Sequence, residues 1–296
     1  MSRLTEKVFR EFEKYIEGEK FNSQEEYEEE LKQFLQMTNN NEIAFEDDAW
    51  DYLDMAYDAD TVEEALKYAR KALRLDNNCL DADILIADLT ASDDEDLKAK
   101  YERLIRKGEK YLNSENLFNE ENIGQFWSIL ETRPYMRLKY SYIKILIMLG
   151  KMKKAVKECE DLLRLSKNDN LGVRYILICL YAFFEDEANA LRIYKEYGKE
   201  LSAHMLLPLI ALYYKLDDYK KAEKYLKKLD ETNSELRDVF GETEFLISKS
   251  KMEEIVESGA YRPCSKEDII IAFAENLFLY ESVKGFPAWI GKTLYK

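Results

Sequence analysis

The sequence predicts an all-α protein, on three observations. Only 10 Gly and 4 Pro punctuate its 296 residues, so few turns are written into it. Lys, Glu, Leu and Ala, which lose little freedom in a helix, dominate, whereas strand-favouring Val is sparse. Apolar residues recur at three- and four-residue spacing through long charged stretches, the period of an amphipathic helix rather than of a strand.

The elements follow in chain order. From Arg3 to about Ile16, Phe9, Phe12 and Ile16 fall on one face; from Gln24 to Met37, Tyr27, Leu31, Phe34 and Leu35 do the same. Both helices need a neighbour to cover those faces. Further starts carry the pattern S/T-x-x-D/E, whose hydroxyl accepts from a backbone N–H three residues on: Ser23 with Glu26, Thr61 with Glu64, Ser92 with Glu95 and Ser265 with Asp268. Trp50, Leu53 and Tyr57 precede Ala65, Leu177 and Tyr181 precede Ala190, and Leu209 and Tyr213 precede Ala222. Large residues on one helix thus face a small one on the next.

Four segments share a frame: DTVEEALKYARKALRLDNN (60–78), GKMKKAVKECEDLLRLSKNDN (150–170), EDEANALRIYKEYGKE (185–200) and DDYKKAEKYLKKLDETN (217–233). Ala155, Ala190 and Ala222 recur near the ~34-residue period of a helix-turn-helix repeat, where a small residue lets the second helix approach the first. The pattern predicts a right-handed α-solenoid of antiparallel helix pairs like those of the tetratricopeptide repeat (TPR). Its expected organisation is an N-terminal helical region over 1–115 with a degenerate repeat at about 46–79, a repeat core over 116–233, and a helical cap over 234–296. The stretch 80–112 reads as helical without the alanine signature.

Within this frame, residues 124–181 carry W…ETRPYMR, an LG turn, an alanine-bearing second helix and L-x-x-NDN-x-G-x-R in order. They closely resemble the TPR core of a group of largely uncharacterised bacterial proteins, and more distantly are similar to the suppressor-of-tumorigenicity TPR family. The tail, YRPCSKEDIIIAFAENLFLYESVKGFPAWIGK (261–292), resembles the end of the same bacterial proteins, where Y-x-P-G-S and P-G-A-x-W-I/L segments frame one helix. Here Cys264 stands in place of the first segment's glycine, and Gly285-Phe286-Pro287 rearranges the second. The resemblance implies a helical scaffold that binds partners, and it carries no reaction with it.

Charge and chemistry narrow the function. A net charge of -15 opposes both nucleic acid and anionic lipid as partners. The longest apolar run, YILICLYAFF (175–184), is about half of the ~20 residues a spanning helix needs, and MSRLTEKVFREFEKY lacks a signal-peptide core, so a cytoplasmic protein is expected. Cys79, Cys159, Cys179 and Cys264 form no C-x-x-C pair, and the single histidine, His204, accompanies no nucleophile elbow. No P-loop, G-x-G-x-x-G or H-E-x-x-H occurs; no cofactor, metal or enzymatic activity is expected.

Two readings of the arginine-rich ETRPYMR stretch (131–137) stay open. In the first, Glu131, Arg133, Pro134, Asn168 and Asn170 brace a repeat junction: Pro134 suits the first turn of a helix, NDN caps the next one, and Glu131, Arg133 and Arg174 satisfy one another. In the second, Arg137, Lys144 and Arg174 face a concave groove and hold a partner's carboxylate. Tyr140, Tyr175, Phe183, Tyr214, Trp289 and His204 would line that groove, although the same tyrosines suit interhelical packing. The function expected is a non-catalytic protein–protein interaction scaffold holding a peptide or helix, with acidic groups, in the concave TPR groove. An architectural adaptor or homo-oligomer using the convex surface is the alternative, and an enzyme with a carboxylate-based site the remaining class.

Overall fold

The computed structural model describes residues 3–40, 47–241, 247–258 and 261–296. Residues 1–2, 41–46, 242–246 and 259–260 lie outside the described residues, and with them residue 46 of the repeat expected at about 46–79 and parts of the segments 1–115 and 234–296. The protein is all-α, its helices packed in sequential pairs, with no sheet among the described residues. The first helices are α1 (Arg3–Tyr15), α2 (Gln24–Asn39), α3 (Ala49–Tyr57), α4 (Val62–Leu75), α5 (Leu80–Thr90) and α6 (Asp94–Ser114). Two 3-10 turns, Phe126–Ser128 and Leu130–Thr132, lead into α7 (Arg133–Met148), followed by α8 (Met152–Leu165), α9 (Val173–Phe183), α10 (Glu187–Glu196), α11 (Ala203–Lys215) and α12 (Tyr219–Thr232). The chain ends with α13 (Leu236–Val239), α14 (Lys249–Ser258), α15 (Lys266–Ala274), α16 (Leu277–Tyr280) and α17 (Phe286–Leu294).

The chain forms two compact units, residues 1–120 with 126–138 and residues 121–125 with 139–296. In the first, α1 packs on α2, and α3, α4, α5 and α6 pack each on the next. Ala65, Ala69 and Ala72 are buried along α4, which lets α3 and α5 lie close on either side. Trp50 of α3 is covered by the Arg10 guanidinium, 3.2 Å from its ring centroid. Gly108 sits inside α6 because a Cβ there would meet Tyr135 at 2.9 Å.

In the second unit α8, α9, α10, α11 and α12 follow the same rule of adjacent packing, with α9 also against α11. Ala155, Ala190 and Ala222 are each fully buried. Residues of α7 in this unit join α8 through Lys139, whose ammonium lies 2.8 Å from Glu158 and 2.5 Å from Asp161. Both α9 and α11 are apolar on all sides, and such a helix must be covered on all sides. The C-terminal helices provide that cover: α15 packs on α11, α16 on α9 and α17 on α12, while α13 and α14 pack on α15.

Capping follows the sequence pattern at three of the four expected starts. Ser23, Thr61 and Ser265 accept from the backbone N–H of Glu26, Glu64 and Asp268. At the fourth, Asp93 rather than Ser92 is the cap, accepting from Asp96, while the Ser92 N–H donates to the Asp96 carboxylate. With acids throughout DDED, the stronger carboxylate acceptor takes the position one residue later.

The turn before α15 holds a cysteine in a conformation that favours glycine. Cys264 has φ +61°, the left-handed conformation glycine adopts without strain, and its N–H donates to Asp268 at 3.2 Å. The backbone keeps glycine's geometry with a side chain attached. Cys264→Gly is therefore expected to stabilise the protein by about 0.5–1 kcal/mol, the relief of the left-handed cost less glycine's extra chain entropy. A chemical-denaturation midpoint that falls instead would refute the strained-turn account.

Candidate functional site

The ETRPYMR stretch is built into the first unit. Thr132 and Arg133 are buried, with the Thr132 hydroxyl donating to the carbonyls of Phe126 and Ile129 and Arg133 Nε donating to that of Trp127 at 2.8 Å. Pro134 occupies the first turn of α7, where no intrahelical bond needs its missing N–H. Tyr135 and Met136 are buried as well. Arg137 then makes a fork: Nε donates to Asp81 Oδ1 at 3.0 Å, Nη2 to Asp81 Oδ2, and Nη1 to Glu6 Oε1 at 3.0 Å. Glu6 also accepts from Arg133 Nη1 at 3.3 Å and pairs with Arg10 at 3.7 Å. Glu6 and Asp81 are buried carboxylates, 3% and 5% exposed, held by an arginine cluster.

This corrects the groove assignment of Arg137. Its guanidinium is spent on two internal carboxylates of the first unit, because both acids lose water on burial and need bidentate partners. Beside the network a cavity of about 180 Å³ is lined by Arg10, Trp50, Tyr111, Pro134, Glu13 and Glu131, among others. Burial, and then the charge of Glu131, raise the Glu13 carboxyl above its usual range. Glu131 itself is exposed at this edge.

The other candidates lie in the second unit. Arg174, at the start of α9, donates from Nη1 to Asp169 at 2.9 Å and lies 3.3 Å from Glu200, with its guanidinium 4.0 Å over the Tyr175 ring. The Tyr175 hydroxyl donates to the same Glu200 at 2.8 Å. The N-cap residue of α9 is Gly172, and within NDN it is Asp169, in the left-handed region at φ +47°, whose carboxylate accepts from the first helical N–H groups, those of Val173 and Arg174; Asn168 and Asn170 are exposed. Arg133 and Arg174 thus find separate acids, Glu6 for one and Asp169 with Glu200 for the other. A carboxylate can accept two N–H groups and a guanidinium together, which an asparagine amide cannot.

His204 is also corrected from groove to interior. It is 5% exposed, its ring 4.7 Å from Tyr175 and 6.0 Å from Tyr261, with Nε2 3.5 Å from Asp268 and no hydrogen bond to either nitrogen. Burial drives its pKa down to about 4, aided by the Arg174 charge and opposed by Glu200. Imidazole so placed is neutral and closed to solvent.

The chain's own C-terminal segment covers Phe183 and Tyr214 among the remaining candidates. Lys144 is exposed and lies over Tyr140, 4.7 Å from the ring centroid, and its charge opposes the rise that desolvation imposes on Glu275 at the end of α15. Phe183 meets Phe278 at 6.0 Å. Tyr214 meets Phe286 at 5.6 Å and Trp289 at 5.3 Å, and its hydroxyl donates to the Lys284 carbonyl at 3.3 Å. The tyrosines and Phe183 are packing residues between α7, α9, α11 and the C-terminal helices. Trp289, a groove candidate in the sequence, is part of the cover itself.

The thiols are similarly enclosed. Cys79, Cys159 and Cys179 are buried, and desolvation pushes Cys79 up to about 12 and the other two well above the usual thiol range, so each is held as an unreactive thiol. Cys264 is exposed. Among the described residues no group of three or more His, Cys, Asp or Glu could hold a metal ion, and no helix is long and apolar enough to cross a membrane.

The fold and these sites define an all-α protein of sequentially paired helices with a buried carboxylate–arginine network in one unit and a covered helix face in the other. Compared with models of known protein families and with curated proteins, the chain matches none.

Proposed function

We propose that the protein is a non-catalytic protein–protein interaction scaffold, whose helix pairs α7/α8, α9/α10 and α11/α12 are TPR-like repeats stacked as in a right-handed α-solenoid. The fully buried alanines at equivalent places on α8, α10 and α12 support the repeat reading. The observation that carries the functional reading is the cover: α15, α16 and α17 pack on α11, α9 and α12, so the face a repeat array ordinarily offers a peptide is occupied by the chain itself. Partner proteins are then met on the outward surface, the adaptor form of a scaffold.

The test is site-specific photo-crosslinking in cells that make the protein. A photoreactive phenylalanine is placed at exposed Phe184, and another at Tyr214 of α11, which lies against Phe286 and Trp289 of the cover. Discrete partner adducts at the first and none at the second support the reading. Adducts only at the α11 position would return the groove to use, and none at either position would count against the scaffold function.

A further inference from the structure

In the first unit, the cavity beside the arginine network joins an apolar floor to a charged mouth. Leu80, Leu112, Pro134 and Tyr135 line it and are buried, whereas Glu13 and Glu131 line it and are exposed. Trp50 and Tyr111, each half-buried, complete the walls. The space is about 180 Å³. An apolar cavity of about 150 Å³ is large enough to hold benzene, so one aromatic or branched apolar group fills a site of this size.

The cations of the lining are already engaged. Arg10 pairs with Glu6 at 3.7 Å and lies over Trp50, and the Lys107 ammonium donates to Asp83 at 2.5 Å and to the Asn77 carbonyl. The acids of the lining are not neutralised in that way. Asp76 accepts the backbone N–H of Asn78, and among the described residues neither Glu13 nor Glu131 forms an ion pair; Arg10 and Arg133 act on Glu13 at longer range. Arg10, Arg133 and Arg137 exceed the buried Glu6 and Asp81 by a single charge, which Glu13, Glu131 and Asp76 more than cancel. Burial, and then the charges of Glu115, Asp76 and Glu131, raise the Tyr111 phenol above its usual range, so the acids' field reaches the cavity wall.

We propose that this cavity binds a small amine carrying one aromatic or branched apolar group, with that group against Leu80, Leu112 and Trp50 and the ammonium at the mouth, donating to Glu13 and Glu131. The charge of the mouth selects the ligand. A neutral ligand leaves two like charges facing one another without a cation, and an anion adds to their repulsion. An ammonium instead gains two charge-assisted hydrogen bonds while its apolar part leaves water. Such binding goes beyond the scaffold function and does not depend on it.

The experiment is calorimetric titration of the full-length protein with phenethylamine and isoamylamine, beside phenethyl alcohol and hydrocinnamate, which keep the ring and replace the ammonium with a neutral or an anionic group. At least one of the two amines should bind at sub-millimolar concentration, the alcohol about tenfold more weakly than phenethylamine, and the acid not at all, since a hydrogen bond to a charged group is worth about tenfold or more. Glu131→Gln, at an exposed position, should weaken amine binding about tenfold and leave the alcohol unchanged. Leu130→Phe, which adds bulk to the lining, should weaken amine and alcohol alike; if that variant melts early, Glu131→Gln carries the test alone. Equal binding of the three ring compounds, or amine binding unchanged in Glu131→Gln, overturns the proposal. So does the absence of binding by both amines. Tighter binding of N-acetyl-lysine amide than of either amine would assign the cavity to a partner's lysine side chain and overturn the small-molecule assignment.

Discussion

Arg137→Ala is expected to destabilise the first unit by about 3–5 kcal/mol, the cost of removing one partner from a buried ion pair. The magnitude follows from what stays behind. Asp81 loses both of its Arg137 hydrogen bonds, and Glu6 keeps Arg133 at 3.3 Å and Arg10 at 3.7 Å, both longer than the lost 3.0 Å contact. Asp81 is 5% exposed, so water cannot replace the guanidinium without opening the α5 packing. Arg137→Lys keeps a charge but loses the fork and should recover only part of the loss. Lys144→Ala, at an exposed position about two turns further along the same helix, should change stability by no more than about 0.5 kcal/mol. Chemical denaturation with amide-exchange readout on α5 measures both. A loss below about 1 kcal/mol for Arg137→Ala would mean that the arginine is available to a ligand after all.

How much of this was legible beforehand depends on what kind of signal each feature leaves. Helix pairing was legible because small residues at crossings and large ones opposite them repeat in sequence: Ala155, Ala190 and Ala222 are fully buried. Three of four caps were legible because the hydroxyl and its partner lie three residues apart. The partners of ETRPYMR were not. Glu6 and Asp81 come from α1 and α5, far away in the chain, and nothing local distinguishes them among 59 acidic residues. The covered face left a signal that could have been used. An inner helix of an open groove keeps a polar stripe, yet ILICLYAF in α9 and MLLPLIALYY in α11 have none, which requires a further layer of chain over them. The burial of His204 shared that signal, since it lies next to this run at the start of α11.

That further layer sets up the second large effect. Phe286 is fully buried at the start of α17, its ring 6.0 Å from Tyr280 and nearly parallel to it, 5.6 Å from Tyr214 of α11 and 6.4 Å from Trp289. It enters this position through Gly285 at φ +77°, which turns the chain from α16 back towards α11. Phe286→Ala should cost about 3–5 kcal/mol, combining the lost transfer energy of the ring with the cavity left between helices that cannot close up independently. Two further observations should accompany the loss: faster amide exchange in α11 and increased binding of a hydrophobic dye, since the cover leaves α11 when its anchor is removed. Phe286→Leu, which keeps most of the volume, should lose much less. If the C-terminal segment only closed the end of the helix array, Phe286→Ala would loosen α17 alone and leave α11 exchange unchanged. Protection in α11 thus separates a terminal cap from a cover that belongs to the core.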